Sequence, residues 1–219
     1  MKQFQTEEEH QRYWDERYKK QGCNTVLHVN STKSDKAKRK VELEWALAVQ
    51  PNVEGAMGIW LSANKRSARL LDFGCGVGRW FPVFWGLSQR YTGLQYLGVD
   101  CTPEAIRLAR QQHPTGRFVV LDDLNTFNEG PFDIVFCCTV LQHIVVPSML
   151  KRTVAFLNRM LAPGGLLVLV ENTEKIASLP YLTFRSQTEY RNMFPELEFT
   201  GAGVRLSGQE HFILRGEKA

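Results

Sequence analysis

Short apolar segments alternate with segments of helical spacing through the middle of the chain, and this alternation most restricts the possible fold. The five predicted strands cover residues 68–73, 96–100, 117–121, 132–138 and 166–170. Strands that are apolar along most of their length are typical of a parallel sheet whose two faces are covered by helices. Two further segments, 197–203 and 211–215, flank a polar loop and predict an antiparallel pair. We therefore expect an α/β fold: a seven-stranded, mostly parallel sheet with helices on both faces and a C-terminal antiparallel hairpin.

The residues before the first strand predict helices. Residues 4–20 have an amphipathic pattern. Residues 41–57 have apolar side chains at helical spacing, and this helix is expected to stop at Pro51 or at nearby Gly55. We expect one compact body made of two parts. These are a helical cap or lid over residues 1–60 and the sheet domain over residues 61–219.

Composition limits the compartment and the partners. The 219 residues are 43% hydrophobic, enough for a normal core, and no segment resembles a membrane span or a signal peptide. The five cysteines include no C-x-x-C pair, which favours reduced thiols over disulfides or a zinc site. A net charge of +4, with a basic run between Lys33 and Lys40, permits an anionic partner without indicating one. These features predict a cytoplasmic protein that binds no membrane.

Polar side chains follow every predicted parallel strand at its carboxyl end. Ligands of open parallel sheets bind in the crevice at those ends, so these side chains are candidates for one site. They are Asp72 with the glycines after it, Asp100, Asp122 and Asp123, Thr139, and Glu171 with Asn172. Any one of them alone is typical of a turn or a helix cap. Their recurrence after all five strands indicates a ligand site.

The turn after the first strand separates two kinds of cofactor. Its glycines are Gly74, Gly76 and Gly78, and Arg79 stands where a dinucleotide fingerprint has its third glycine. Asp72 lies two residues before the first glycine. Its negative charge would not help to bind a pyrophosphate, whereas a cofactor that carries an amine and a sulfonium would tolerate it. The glycines allow a ligand to approach the backbone, and the next helix offers N–H groups to a carboxylate.

Four motifs, in this order, resemble those of the class I S-adenosylmethionine-dependent methyltransferases. They are LLDFGCGVG at 70–78, LGVD at 97–100, FDIV at 132–135 and LAPGGL at 161–166. The resemblance covers roughly residues 68–172, and the ordered set is specific although each motif alone is weak. It implies S-adenosylmethionine as cofactor and S-adenosylhomocysteine as product.

The resemblance also implies which residues hold each part of the cofactor. Asp72, Gly74, Gly76 and Gly78 would hold the methionine half, and Arg79 would hold its carboxylate. Asp100 would bind the ribose, and Asp122, Asp123 and Leu124 would contact the adenine. The stretch from Thr139 to His143 would lie beside the methyl group. The guanidinium of Arg79 suits a carboxylate.

Two departures from related patterns restrict the chemistry. The end of the fourth strand reads CCTVLQH, without the Asn/Asp-Pro-Pro-Tyr/Phe pattern of nucleobase amine methylation or the Pro-Cys nucleophile of cytosine-C5 enzymes. Cys137 and Cys138 are therefore interpreted as buried small hydrophobes rather than nucleophiles. No Asp/His cluster of the catechol type is apparent, and we expect no metal.

Methyl transfer is a displacement at an already activated carbon, so positioning supplies most of the acceleration and a base helps only where the acceptor must lose a proton. His143 is the candidate base, with a structural histidine as the alternative. Glu171 and Asn172 are candidates to orient an amine or hydroxyl, with simple capping as the alternative.

Candidate substrate contacts lie at both ends of the chain. Arg185 is a candidate for a substrate carboxylate or phosphate and Tyr190 for the substrate wall, with a surface arginine as the alternative. Tyr13, Trp14 and Tyr18 are candidates for a lid helix that excludes water, with plain packing as the alternative.

The leading hypothesis is a methyltransferase that acts on O or N of a small molecule. A protein N-terminal amine methyltransferase with a peptide substrate is the nearest alternative, because the Glu171-Asn172 pair and the histidine after the fourth strand, His143, loosely resemble those enzymes. From other classes, a non-catalytic cofactor-binding regulatory subunit stays open. An RNA-binding methyltransferase that uses Lys33 to Lys40 also stays open, although nucleic acid is not favoured.

Overall fold

A single sheet of seven strands organises the chain in the computed structural model, which describes residues 3–27, 35–64, 67–173, 179–206 and 209–218. The strands are β1 Ala68–Phe73, β2 Leu94–Asp100, β3 Phe118–Val120, β4 Phe132–Cys138, β5 Leu161–Asn172, β6 Leu197–Leu206 and β7 Gln209–Lys218. Their order is β3-β2-β1-β4-β5-β7-β6, with β7 antiparallel to both β5 and β6 and the other pairs parallel. The predicted fold class is confirmed.

The described chain also contains seven α-helices and two short 3-10 helices. The α-helices are α1 Glu7–Gln21, α2 Asp35–Ala48, α3 Gln50–Asn64, α4 Phe81–Arg90, α5 Pro103–Gln112, α6 Pro147–Met160 and α7 Gln187–Met193, and the 3-10 helices are Gly22–Leu27 and Leu141–His143. Within the described ranges, no helix is both long and apolar enough to cross a membrane.

The alternation of side chains along each strand divides the core between the two faces of the sheet. On β1, Leu70 faces a cluster built with α3 and α4, whereas Leu71 faces a cluster built with α6 and α7. Phe118 of β3 joins a smaller cluster with α5. Because both faces are covered, the carboxyl edge of the strands is where polar side chains can meet a ligand.

The helices before the sheet correct one sequence prediction. The prediction of a single helix within 41–57, stopped at Pro51 or Gly55, is wrong. The structure has two helices here, since α2 runs to Ala48 and α3 begins at Gln50. Pro51 lies in the first turn of α3, where a missing N–H breaks no intrahelical bond. The predicted division at residue 60 falls inside α3, and a lid role for residues 1–60 stays a prediction.

The two C-terminal strands are longer than the pattern predicted. The sequence indicated 197–203 and 211–215, whereas β6 and β7 each run for 10 residues. Their antiparallel register is continuous from Leu197 opposite Lys218 to Leu206 opposite Gln209. Pairing with a neighbour, rather than local hydrophobicity, sets these strand ends.

Candidate functional site

A cavity of about 210 Å³, called here the crevice, lies where β1, β2 and β4 end, with α1 and α6 beside it. It brings together half of the site residues predicted from the sequence. These are Trp14, Tyr18, Gly74, Asp100, Asp122, Asp123, Leu124, Thr139 and His143. The other predicted residues do not line it, and several have a different structural position.

The Gly-rich turn is drawn onto β2 and leaves its backbone close to the crevice. The N–H of Gly74 donates to the carbonyl of Val99 at 2.8 Å. Gly74 has a φ of 70°, and a Cβ there would lie 2.4 Å from Cγ2 of Val140, so a side chain at this position would be both strained and obstructed. Gly76 and Gly78 shape the turn behind Gly74 without lining the crevice.

Asp72 lies beneath the turn and not in the crevice. Its carboxylate is 2% exposed and accepts a hydrogen bond from the hydroxyl of Tyr96 at 2.9 Å. Burial raises the pKa of Asp72 to about 7. Asp72 therefore supports the Gly-rich turn and contributes to the charge near it from a position beneath the turn.

Asp100 is held by the backbone of the two segments that flank it. One carboxylate oxygen accepts the N–H of Gly76 at 3.0 Å, and the other accepts the N–H of Thr102 at 2.9 Å. A carboxylate offers about four acceptor positions, so capacity remains for ligand hydroxyls. Burial raises the pKa of Asp100.

The charged side chains that line the crevice are mostly acidic. Asp122 and Asp123 are exposed at the rim beyond β3, and Asp100 adds a third carboxyl group. A fourth, Glu7, pairs with Arg152, the one Lys or Arg side chain among the described residues that line the crevice. This excess of negative charge suits a cationic ligand.

Thr139 carries backbone strain at the end of β4. Its φ of 54° lies in the left-handed region that non-glycine residues seldom adopt, at a cost of about 1–3 kcal/mol. Its N–H donates to the carbonyl of Val170 at 2.7 Å, so the neighbouring strand holds this conformation. With this conformation the chain leaves β4 and enters residues 139–144, called here the 139–144 loop.

His143, in the 139–144 loop, has a defined tautomer. Its Nδ1 lies 2.9 Å from the carbonyl oxygen of Tyr181, which can only accept, so Nδ1 carries the proton and Nε2 is the acceptor of the ring. The side chain is 8% exposed, and burial lowers its pKa to about 4. His143 is therefore a neutral imidazole at the crevice near pH 7.

Glu171 stands behind the 139–144 loop rather than in the crevice. Its two carboxylate oxygens accept the N–H groups of Val140, Leu141 and Gln142, at 3.0, 2.9 and 3.2 Å. Burial raises its pKa to about 7, against the opposing effect of these hydrogen bonds. Direct orientation of a substrate, as the sequence suggested, does not fit this position.

Arg185 and Asn172 hold the same loop. The guanidinium of Arg185 donates to the carbonyls of Leu141 and Ile144, at 2.7 and 2.9 Å, and is 8% exposed. The predicted surface arginine or substrate anchor is thus a buried brace. The main-chain N–H of Asn172 donates to the side chain of Gln142 at 2.8 Å. Glu171 and Asn172 therefore lie outside the crevice, and of the two features that suggested a peptide substrate only His143 lines it.

Arg79 also differs from its predicted role. It lines a second cavity with Trp45, and its guanidinium carbon lies 4.4 Å from the centre of the Trp45 ring. Burial lowers its pKa. In this arrangement Arg79 does not reach the crevice in which a cofactor carboxylate was expected.

The aromatic residues of α1 divide between the crevice and its surroundings. Trp14 and Tyr18 line the crevice, whereas Tyr13 stacks on Tyr181 with ring centres 5.0 Å apart and an interplanar angle of 16°. Tyr190, predicted in the substrate wall, is fully buried in the core beside α6.

Sequence reasoning missed other crevice residues on α1. Glu7, His10 and Gln11 line the crevice with Trp14 and Tyr18. These five positions share one helical face, so their spacing was the available signal. On α6, Arg152 also lines the crevice and pairs with Glu7 of α1, and no sequence pattern identified it.

The structure also bears on metal and thiol chemistry. Over the described ranges, no group of three or more His, Cys, Asp or Glu side chains is arranged to hold a metal ion. Cys137 is fully buried, and burial raises the pKa of Cys138 to about 12, so neither side chain is suited to be a thiolate nucleophile.

Comparison with known families identifies the class of protein that this fold and crevice define. A family model described as a methyltransferase domain matches residues 43–202. The chain belongs to this family of methyltransferase domains.

Two curated relatives share about a third of their aligned residues with the chain. The ubiquinone biosynthesis O-methyltransferase of Xanthomonas oryzae pv. oryzae is 33% identical over 108 residues, which is 47% of this chain and 42% of that protein. An uncharacterized methyltransferase of Synechocystis is 32% identical over 105 residues, 47% of this chain and 46% of that protein. The chain thus matches less than half the length of these relatives.

Two solved structures of one enzyme cover nearly the whole chain. Magnesium protoporphyrin IX methyltransferase of Synechocystis with bound S-adenosylmethionine has a TM-score of 0.68 at 15% identity, covering 96% of this chain and 97% of that one. Its complex with S-adenosylhomocysteine has a TM-score of 0.69 at 14% identity, covering 98% and 100%. At these identities the likeness shows the shared fold alone.

Proposed function

We propose that the crevice binds S-adenosylmethionine and that the enzyme transfers its methyl group to a hydroxyl or amine of a small molecule, with His143 as general base. The observation that carries this proposal is the neutral, oriented imidazole of His143 at the crevice, with its Nδ1–H held by a carbonyl. The strained Thr139 at the same edge supports it, since such strain concentrates at functional sites.

The chemistry of the crevice fits the cofactor. Asp100 retains acceptor capacity for the ribose hydroxyls, and the open backbone at Gly74 admits the methionine half. Asp122, Asp123 and Leu124 would flank the adenine. The acidic lining suits a ligand that carries a sulfonium and an ammonium group.

The protein's part in the reaction is positioning and acceptance of one proton. S-adenosylmethionine, when bound, would supply an activated methyl group on its sulfonium, with S-adenosylhomocysteine as the leaving group. The proton that the acceptor loses passes to Nε2 of His143. An imidazole with a low pKa suffices, because a hydroxyl that has gained a methyl group is a strongly acidic oxonium.

Among possible acceptors, a hydroxyl group is favoured. The relative from Xanthomonas oryzae is named as an O-methyltransferase, and this supports the same chemistry here. The aromatic side chain of Trp14 beside His143 would pack well against a planar acceptor.

Thermal melts with S-adenosylmethionine and S-adenosylhomocysteine test the cofactor site. Both ligands should raise the melting temperature, and Asp100→Ala should weaken binding about 10- to 100-fold, the usual effect of losing hydrogen bonds to a charged group. Glu196→Ala, at an exposed position distant in sequence from the crevice residues, is the matched control. Absence of a shift with either ligand would overturn the site.

The acceptor can be found by transfer of a labelled methyl group to a panel of small hydroxyl and amine compounds and peptides. We expect label in hydroxyl compounds, with S-adenosylhomocysteine formed in equal amount. Label in peptides alone would refute the small-molecule proposal.

A further inference from the structure

His10 makes the most informative contact between α1 and the 139–144 loop. It lies in the first half of α1, is 4% exposed and lines the crevice. Its Nε2 is 2.9 Å from the main-chain oxygen of His143. A residue on a separate element thus touches the backbone of the proposed base.

Two groups compete for this one nitrogen of His10. The carbonyl of His143 only accepts, so this hydrogen bond requires a proton on Nε2. The indole N–H of Trp14 only donates, and it lies 3.1 Å from the same Nε2. The neutral ring can form one of these hydrogen bonds at a time, the first between α1 and the loop and the second within α1.

Other contacts of α1 lie around the same group. The Trp14 ring meets the His143 ring edge-on, with centres 4.8 Å apart. Tyr13 stacks on Tyr181, whose carbonyl holds Nδ1 of His143. The face of α1 therefore contacts both the backbone of His143 and the residue that orients its ring.

The small volume of the crevice favours displacement of α1 while a ligand enters or leaves. Sites that hold small ligands usually enclose about 300–1,000 Å³. The crevice, at about 210 Å³, lies below this range. Displacement of α1 would break the bond between His10 and His143, and Nε2 of His10 could then accept from Trp14, which lies one helical turn away on the same helix.

We propose that His10 is a positioning residue for methyl transfer: it holds the backbone of His143 when α1 is closed and pairs with Trp14 when α1 is displaced. Closure of α1 over the cofactor and placement of the base are then one event. This inference rests on the proposed function, since it concerns the same base. It assigns His10 no contact with the reacting atoms.

A pair of substitutions separates this role from simple packing. His10→Gln keeps an amide N–H at about the reach of Nε2, whereas His10→Leu keeps the bulk and loses the donor. With S-adenosylhomocysteine as the probe, His10→Leu should raise its dissociation rate about three- to tenfold, the range expected for one net hydrogen bond. His10→Gln should stay within about twofold of the unmodified protein. The exposed Arg12→Gln is the control.

Nitrogen NMR of the histidine rings supplies a readout that packing alone would not move. Saturation with S-adenosylhomocysteine should shift His10 toward the Nε2–H tautomer, and His10→Leu should perturb the ring signals of His143 while His10→Gln restores them. An Nδ1–H tautomer in the complex, or equal behaviour of the Leu and Gln variants, would overturn the inference. If the unmodified protein does not bind S-adenosylhomocysteine, the proposed function itself fails, so the two failures are distinguishable.

Discussion

His143 and Glu171 are both buried titratable residues near the end of β4, and their surroundings give them different tasks. Burial lowers the pKa of the imidazole to about 4 and raises that of the carboxyl to about 7, because in each case it disfavours the charged form. The imidazole lines the crevice, with its Nε2 3.4 Å from Nε2 of Gln142, whereas the carboxyl accepts three backbone N–H groups. Their partners, rather than their residue types, determine which one can exchange a proton with a ligand.

The pH profile of the enzyme should reflect the low pKa of His143. A base whose folded pKa is about 4 remains neutral well below pH 6.5, so the acid limb of kcat/KM that belongs to it should lie near pH 4. His143→Gln should lower kcat by about 10²- to 10⁴-fold with little change in affinity for S-adenosylhomocysteine. Turnover is measured from about pH 3 to 8, a range that includes the expected limb, with the acceptor found by methyl transfer.

Stability must be followed in the same pH series. Because the pKa of His143 is lower in the folded than in the unfolded chain, the unfolded state binds more protons between about pH 4 and 6.5, and the stability contribution is lost as pH falls through that window. Melting curves at each pH separate unfolding from loss of the base. A limb near pH 6.5 in fully folded protein would contradict the prediction.

At the scale of elements, the 3-10 helix Leu141–His143 is held by side chains rather than by its own length. Glu171 accepts N–H groups at the start of this helix. Arg185 donates to the carbonyl of Leu141 within the helix and to that of Ile144 just after it. Three residues form too little regular structure to fix a side chain in place. The position of His143 therefore depends on braces from β5 and from the segment before α7.

Arg185→Lys should reduce kcat more than it reduces stability. A lysine ammonium cannot reproduce the fork that reaches the carbonyls of Leu141 and Ile144 together, so the loop should loosen. We expect kcat to fall about tenfold, the effect of roughly 1.4 kcal/mol, with less change in the dissociation constant of S-adenosylhomocysteine.

Arg191→Lys is the matched control for this prediction. Arg191 on α7 donates to the carbonyl of Phe199 at 2.6 Å and does not contact the 139–144 loop by hydrogen bonds in the described chain. It should lose similar stability and retain kcat. Equal loss of kcat in both lysine variants would assign the effect of Arg185 to general destabilisation.

For the whole molecule, buried acids near the sheet make stability depend on pH. Asp72 is held beneath the Gly-rich turn with one hydroxyl partner in the described chain, Tyr96, and burial raises its pKa to about 7. A group whose folded pKa is raised contributes stability at low pH and loses that contribution as pH rises through its folded pKa. Asp72 should therefore disfavour the folded state progressively between about pH 4 and 7.

Asp72→Asn should stabilise the cofactor-free protein more at pH 8 than at pH 5. The amide oxygen can still accept from Tyr96, and no charge is buried at high pH. The gain should be about 2 kcal/mol larger at pH 8, from roughly 1.4 kcal/mol per unit of pKa shift. For a chain of this size that corresponds to roughly 4–8 °C in melting temperature.

The control for this prediction keeps the carboxyl and removes its partner. Tyr96→Phe should not reproduce the gain at pH 8, because it leaves the buried charge without its hydrogen bond. Effects of His143 and Glu171 are common to all the variants and cancel in the differences. An equal gain for Asp72→Asn at both pH values would contradict a raised pKa.

Sequence by itself determined the α/β fold class, the approximate strands, the Gly-rich turn and the crevice at the strand ends. These follow from local patterns, because apolar runs predict strands and the carboxyl ends of parallel strands lie at one edge. Asp100, Thr139 and His143 were identified on that basis, and each lines the crevice. The acceptor and the lid role stay predictions.

Only the tertiary structure decided which polar side chains face the ligand and which hold the backbone. Glu171, Arg185 and Arg79 were predicted, like Asp100, to face a ligand, yet the first two are bonded to the 139–144 loop and the third lies over Trp45. Buried N–H and carbonyl groups must find partners, and which side chain is nearest depends on contacts between residues far apart in sequence. His10 illustrates this most clearly, since its partner is 133 residues away and only folding brings them together.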